Sequence, residues 1–130
     1  MLPRILFILL LPMLFSCYHE NQATIEVPDH LLSEEEMIDV ITDVQLADGA
    51  ITYRRTRRIE QKNFRKSAYE QIFSTYGINA KILNENLNYY NSNPKQMELI
   101  YEKVLAKLSR IEGEIKDEAK KADTIAGGNK

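Results

Sequence analysis

The sequence predicts an all-α protein: a small bundle of about four helices with a long C-terminal helix, preceded by a signal peptide and a flexible tether. Three observations predict it. Apolar residues recur every three or four positions in four separate segments, which is the spacing of one helix face. Capping residues and helix-stopping glycine or proline punctuate those segments. No segment shows the strict alternation of a half-buried strand.

The first helix is expected from about residue 34 to 58. Ser33 and Glu36 form a capping box, with Leu32 as the preceding hydrophobic staple. Met37, Val40, Ile41, Val44, Ala47 and Ile51 share one face, acids fill the first turn and arginines gather at the far end, as the helix dipole favours. Gly49 inside this helix costs about 1 kcal/mol relative to alanine, which implies close packing or a bend there. A second helix, about 63–76, places Ala68, Tyr69, Ile72, Phe73 and Tyr76 inward, and Gly77 supplies a left-handed C-cap. Asn79 caps a third helix, about 80–91, which presents Ala80, Leu83, Leu87 and Tyr90. Asn93-Pro94 then opens a fourth with an N-cap and a first-turn proline. Met97, Tyr101, Val104, Leu108, Ile111 and Ile115 give it the strongest periodicity in the chain. Running from about 94 to 121, it outreaches the shorter second and third helices, so its distal half is expected to overhang.

The ends of the chain carry a different signal. Arg4 precedes an apolar run from Ile5 to Phe15, followed by Ser16 and Cys17: a charged region, a short hydrophobic region and a small residue at a cleavage site. That run is far shorter than the roughly 20 apolar residues a membrane-spanning helix needs. Cys17 is the only cysteine, so an intramolecular disulfide is impossible and the thiol needs another role. Leu14-Phe15-Ser16-Cys17 resembles a lipobox, although Phe15 is bulkier than usual at its position. The resemblance implies acylation of Cys17, and more than one acyl chain anchors a protein stably. The expected organisation is therefore a signal peptide at 1–16, a lipidated cysteine and polar tether at 17–30, a helical domain at 31–122 and a disordered tail at 123–130.

Cleavage would remove 16 of the 130 residues, leaving 114 with a formal charge of −3 (16 basic, 19 acidic), enough for one domain with a modest core. Neither this charge nor the expected address points to nucleic acid. His19 and His30 have no companion ligand at useful spacing, and zinc normally needs three or four. No phosphate-binding glycine loop, nucleophile elbow or Ser/His/Asp set is present, so the sequence gives no ground for an enzyme, a metal or a cofactor.

Several residues stand out as candidate contacts. Arg54, Arg55, Arg57, Arg58, Lys62, Arg65 and Lys66 surround a single acid, Glu60. Dipole compensation and a solvated helix junction explain such a stretch; the functional alternative is an anionic docking surface, since arginine forks suit phosphate. Asp48 falls on an apolar helix face and needs a partner, a neighbouring tyrosine or arginine in the structural reading, a ligand in the functional one. Asp39 and Asp43 read as a solvated face rather than an acid–base pair. Tyr89 and Tyr90 point in different directions from one helix, so one ring enters the core and the other faces outward. The overhanging stripe Leu108–Ile111–Ile115 needs a neighbour.

The segments LLSEEEMIDVITDVQLADGA (31–50), YEQIFSTYGI (69–78) and LNYYNSNPKQMELIYEKVLAKL (87–108), with the lipobox ahead of them, resemble the domain-of-unknown-function family 4296, small lipoproteins of the Bacteroidota. Asn79 departs from the threonine expected there but keeps its capping ability. The resemblance implies a helical envelope lipoprotein with no assigned activity. Tyr18 after the anchor cysteine lacks the aspartate that retains lipoproteins in the inner membrane, and only Glu20 represents the acidic run associated with surface export. The expected address is the outer membrane, periplasmic face. The expected role is a protein-interaction module that docks on an envelope partner or self-associates; the alternative is a lipid or apolar-ligand carrier with Tyr89, Tyr90 and Asp48 at its pocket mouth.

Overall fold

The computed structural model describes residues 25–127, and side chains as far as Thr124. The signal segment 1–16, Cys17, the tether as far as residue 24, and residues 128–130 of the expected tail lie outside the described residues. Four helices follow one another: α1 (Glu34–Thr56), α2 (Lys62–Tyr76), α3 (Ala80–Asn91) and α4 (Pro94–Gly127). There is no strand among the described residues.

The caps form where the residue types place them. The Ser33 hydroxyl accepts from Glu36 N–H at 3.2 Å, and the Glu36 carboxylate accepts from Ser33 N–H at 2.7 Å, closing the capping box. Those bonds hold the Glu36 carboxyl below its ordinary pKa, Ser33 N–H being the largest cause. Asn79 accepts from Ile82 N–H at 3.0 Å, and Gly77 ends α2 at φ 62°. The turn after α1 uses the same left-handed geometry, with Arg58 at φ 58° where glycine is usual. Ile59 N–H reaches Arg54 O at 2.9 Å and Arg58 N–H reaches Arg55 O at 3.2 Å, a Schellman closure.

α1 is the central element: α4 packs along its N-terminal part, α2 along its C-terminal part, and α3 packs on α4. Glu34 pairs with Gln96 and Asp39 with Lys107, so α1 and α4 run parallel. Asp43 pairs with Tyr76 and Asp48 with Tyr69, so α2 runs antiparallel. This double coverage explains a core wider than one face. Met37, Val40, Ile41 and Ile51 are buried as their spacing predicts, but Ile38 and Thr42 on the other side are buried too. Leu32, Tyr90, Met97, Ile100 and Val104 complete the core.

Four expectations are corrected. A Cβ on Gly49 would meet nothing within 4 Å, so close packing does not explain it. α4 continues to Gly127, so residues 123–127 of the expected tail are helical. The described end of the tether runs beside α3: residues 25–29 share a shallow cleft with Glu85 and Asn88, and the His30 carbonyl is bonded to Asn86. Ala80, expected inward, is exposed, and α3 instead buries Asn86 with Tyr90.

Candidate functional site: a basic groove and an open helix wedge

The members of the basic stretch make different contacts. Arg54 is structural: its Nε donates to Glu60 O at 2.7 Å and its guanidinium lies 4.6 Å from the Phe64 ring centroid. Arg57 lies 5.5 Å from the Tyr53 ring, and Arg55 and Arg58 are exposed at the turn. Lys62, Arg65 and Lys66 are exposed as well. They stand at the start of α2 and line the rim of a groove of ≈ 500 Å³ between α2 and α3. Its walls are Tyr69 and Phe73 of α2 and Leu83 and Leu87 of α3.

Asp48 meets a tyrosine. Tyr69 Oη donates to Asp48 Oδ1 at 2.9 Å, and farther along the α1–α2 seam Tyr76 Oη donates to Asp43 Oδ2 at 2.7 Å. Burial first, and then the neighbouring carboxylate, pushes both phenols above their ordinary pKa. Asp39, on the other side, accepts from Lys107 Nζ at 2.6 Å. The acids of α1 thus fasten it to both neighbours.

Tyr90 is 4% exposed and its hydroxyl donates to Leu32 O at 2.6 Å, while Tyr89 is half-buried and meets it edge-on at 5.4 Å. Neither they nor Asp48 line the α2–α3 groove. Sequence reasoning missed Asn86, which is fully buried and holds the backbone of the segment leading into α1; an asparagine four residues before a buried tyrosine gave the only hint. It also missed the groove, although Lys62, Arg65, Lys66, Tyr69 and Phe73 follow at helical spacing on one side of α2.

A second open feature lies between α1 and α4. Asp39, Leu46 and Tyr53 are seven residues apart along one line of α1; Lys107, Ile111 and Ile115 are four apart along one line of α4. The Lys107–Asp39 bond joins the heads of the two lines. Beyond it the lines are uncovered: Leu46 is 42% exposed, Tyr53 58% and Ile115 60%, and every residue from Glu112 to Thr124 is exposed. Beyond this bond neither helix covers the apolar residues of the other, which leaves an open wedge at Leu46, Tyr53 and Ile115. Ile111 is half-buried near the vertex.

Among the described residues, no three His, Cys, Asp or Glu side chains gather as metal ligands, and no helix is long and apolar enough to cross a membrane. Comparison with known proteins adds one finding. No curated protein and no solved structure matches the chain. Residues 28–114, from the segment before α1 to just past the wedge vertex, match the family described as Domain of unknown function (DUF4296), and the chain belongs to that family.

Proposed function

We propose that this protein is a lipid-anchored envelope protein of the Bacteroidota, held at the periplasmic face of the outer membrane through Cys17, and that its helical domain is a non-enzymatic docking module. The wedge between α1 and α4 carries this reading. Leu46 and Tyr53 of α1 and Ile115 of α4, exposed beyond the Lys107–Asp39 bond, leave apolar surface open for a partner. An amphipathic helix of an envelope protein would bury its apolar face there, in the helix-in-groove mode. The anchor supplies proximity: the seven residues between Cys17 and Ile25 reach at most about 25 Å, so the domain would search a thin layer above its membrane.

Photo-crosslinking from Leu46 and Ile115 in living cells tests the docking role. One recurrent envelope protein in the adducts is the expected result. Adducts to lipid alone, or none, would remove the support for docking, and adducts only between copies of the chain would replace the partner by self-association. Mass spectrometry of the N-terminal peptide tests the anchor, because an unmodified Cys17 or a retained signal segment contradicts it.

A further inference from the structure

The cations at the start of α2 are placed against helix electrostatics. A helix N-terminus carries about half a positive charge and favours acids in its first turn. The only acid at this end of α2 is Glu60, just ahead of the helix, whose carboxylate accepts Asn63 N–H at 2.7 Å; the helix itself carries Lys62, Arg65 and Lys66 at or beside that end. The helix dipole does not favour them. Only Lys66 has an ion-pair partner among the described residues, Glu70 at 3.8 Å, with both side chains well over half exposed. An exposed pair of that kind is weak and readily exchanged.

The same line of α2 continues into apolar wall. From Lys62 to Phe73 it runs about 16 Å, changing from cationic to aromatic. Tyr69 is fixed by its bond to Asp48, and its ring meets Phe73 edge-on at 5.9 Å, so that wall is set before any ligand arrives. Leu83 and Leu87 form the facing wall, both half-buried where they pack against the core. The volume, ≈ 500 Å³, falls in the range of about 300–1,000 Å³ usual for small-molecule sites.

We infer that the α2–α3 groove binds a single-chain anionic lipid, its acyl chain lying along Tyr69, Phe73, Leu83 and Leu87 and its carboxylate meeting Lys62, Arg65 and Lys66. The charge gradient selects this class. A neutral apolar ligand would make no use of the rim, and a free anion would make no use of the walls. A peptide helix is about 10–12 Å across, so little more than one turn would fill this volume, whereas an extended acyl chain is slender enough to lie along the whole groove. The inference is independent of the docking wedge, which lies between different helices.

The test uses the full chain made by cell-free synthesis, which leaves Cys17 unacylated. It is photolabelled with a diazirine-bearing dodecanoate and, in parallel, with the methyl ester of the same molecule. The carboxylate is expected to label α2 and α3 near the groove, and the ester to label them about tenfold less, the loss of one good charge-assisted contact. Lys62→Glu/Arg65→Glu/Lys66→Glu should erase that preference while leaving the walls and the helix content by circular dichroism intact. Leu83→Asp should abolish labelling by both probes. Equal labelling by acid and ester, a preference that survives charge reversal, or labelling concentrated on α4 would each overturn the inference.

Discussion

Asn86 and Leu32 are 54 residues apart and joined backbone to side chain: the Asn86 Oδ1 accepts the Leu32 N–H at 2.7 Å. The Asn86 amide nitrogen donates to His30 O at 2.8 Å and to Ile82 O at 2.9 Å, and one turn along α3 Tyr90 donates to Leu32 O. Two side chains of α3 therefore satisfy three backbone groups of a segment that has no regular structure of its own. Leu32, 2% exposed, can then sit in the core without an orphaned polar backbone.

Asn86→Leu keeps the branched shape and the heavy-atom count and removes this clasp. It leaves the buried Leu32 N–H without its acceptor, at about 1–3 kcal/mol for the unmet group. We expect a lower urea midpoint at unchanged slope, corresponding to about 2–3 kcal/mol. Tyr90→Phe keeps the ring and loses one bond, so about 1 kcal/mol is expected. An Asn86→Leu midpoint equal to that of the parent chain would show that the clasp contributes nothing.

Alkaline pH should unfasten α2 from α1. Burial and then the partner carboxylates, Asp48 and Asp43, raise the phenols of Tyr69 and Tyr76 above the unfolded value of about 10. A raised folded pKa contributes stability that is fully present below the unfolded value and lost as pH rises through the folded one. Thermal unfolding should therefore show stability constant through neutral pH and falling above pH about 10. Tyr76→Phe should flatten that fall; an alkaline limb identical in the variant would place its origin elsewhere.

Arg58→Gly should stabilise the protein. A non-glycine residue in the left-handed region costs about 1–2 kcal/mol, part of which the greater freedom of glycine in the unfolded chain takes back. A net gain of about 0.5–1 kcal/mol is expected, seen as a raised melting temperature. Arg54→Ala, four residues earlier, should act in the opposite direction, because it removes the bond to Glu60 O and the stacking on Phe64.

Truncation after Glu114, which removes Ile115, should leave folding almost untouched. Every side chain from Glu112 to Thr124 is exposed, and surface changes of this kind stay within about 0.5 kcal/mol. A stretch this short is only marginally helical alone, so its amides should exchange with deuterium far faster than those of Met97–Val104. Slow exchange throughout α4 in the isolated protein would mean that something already covers it. Loss of crosslinked partner on truncation, with stability kept, would separate docking from folding.

Local chemistry was enough to mark the four helices. Ser33 with Glu36, Gly77, Asn79 and Asn93-Pro94 act within a turn of their own position, so their capping bonds are legible from spacing alone. The missed boundaries have local causes of another kind. Arg58 took the left-handed position that glycine usually marks, and the end of α4 carried no stop before Gly127.

What the sequence by itself determined, then, was the helical class, the order and nearly the limits of the helices, and the inner faces of α1 and α2; on α4 the expected Tyr101 is exposed and Ile100 is buried. Tertiary structure alone decided which helix lies between two others, so that Ile38 and Thr42 became core, and which side chain meets which acid, so that Asp43 and Asp48 hold tyrosines. It also decided where apolar lines go uncovered. A helix face is fixed by residues three and four apart, but its cover is fixed by the angle at which another helix crosses it. The wedge beyond Lys107–Asp39 and the groove beside Lys62, Arg65 and Lys66 depend on such angles, which no single segment encodes.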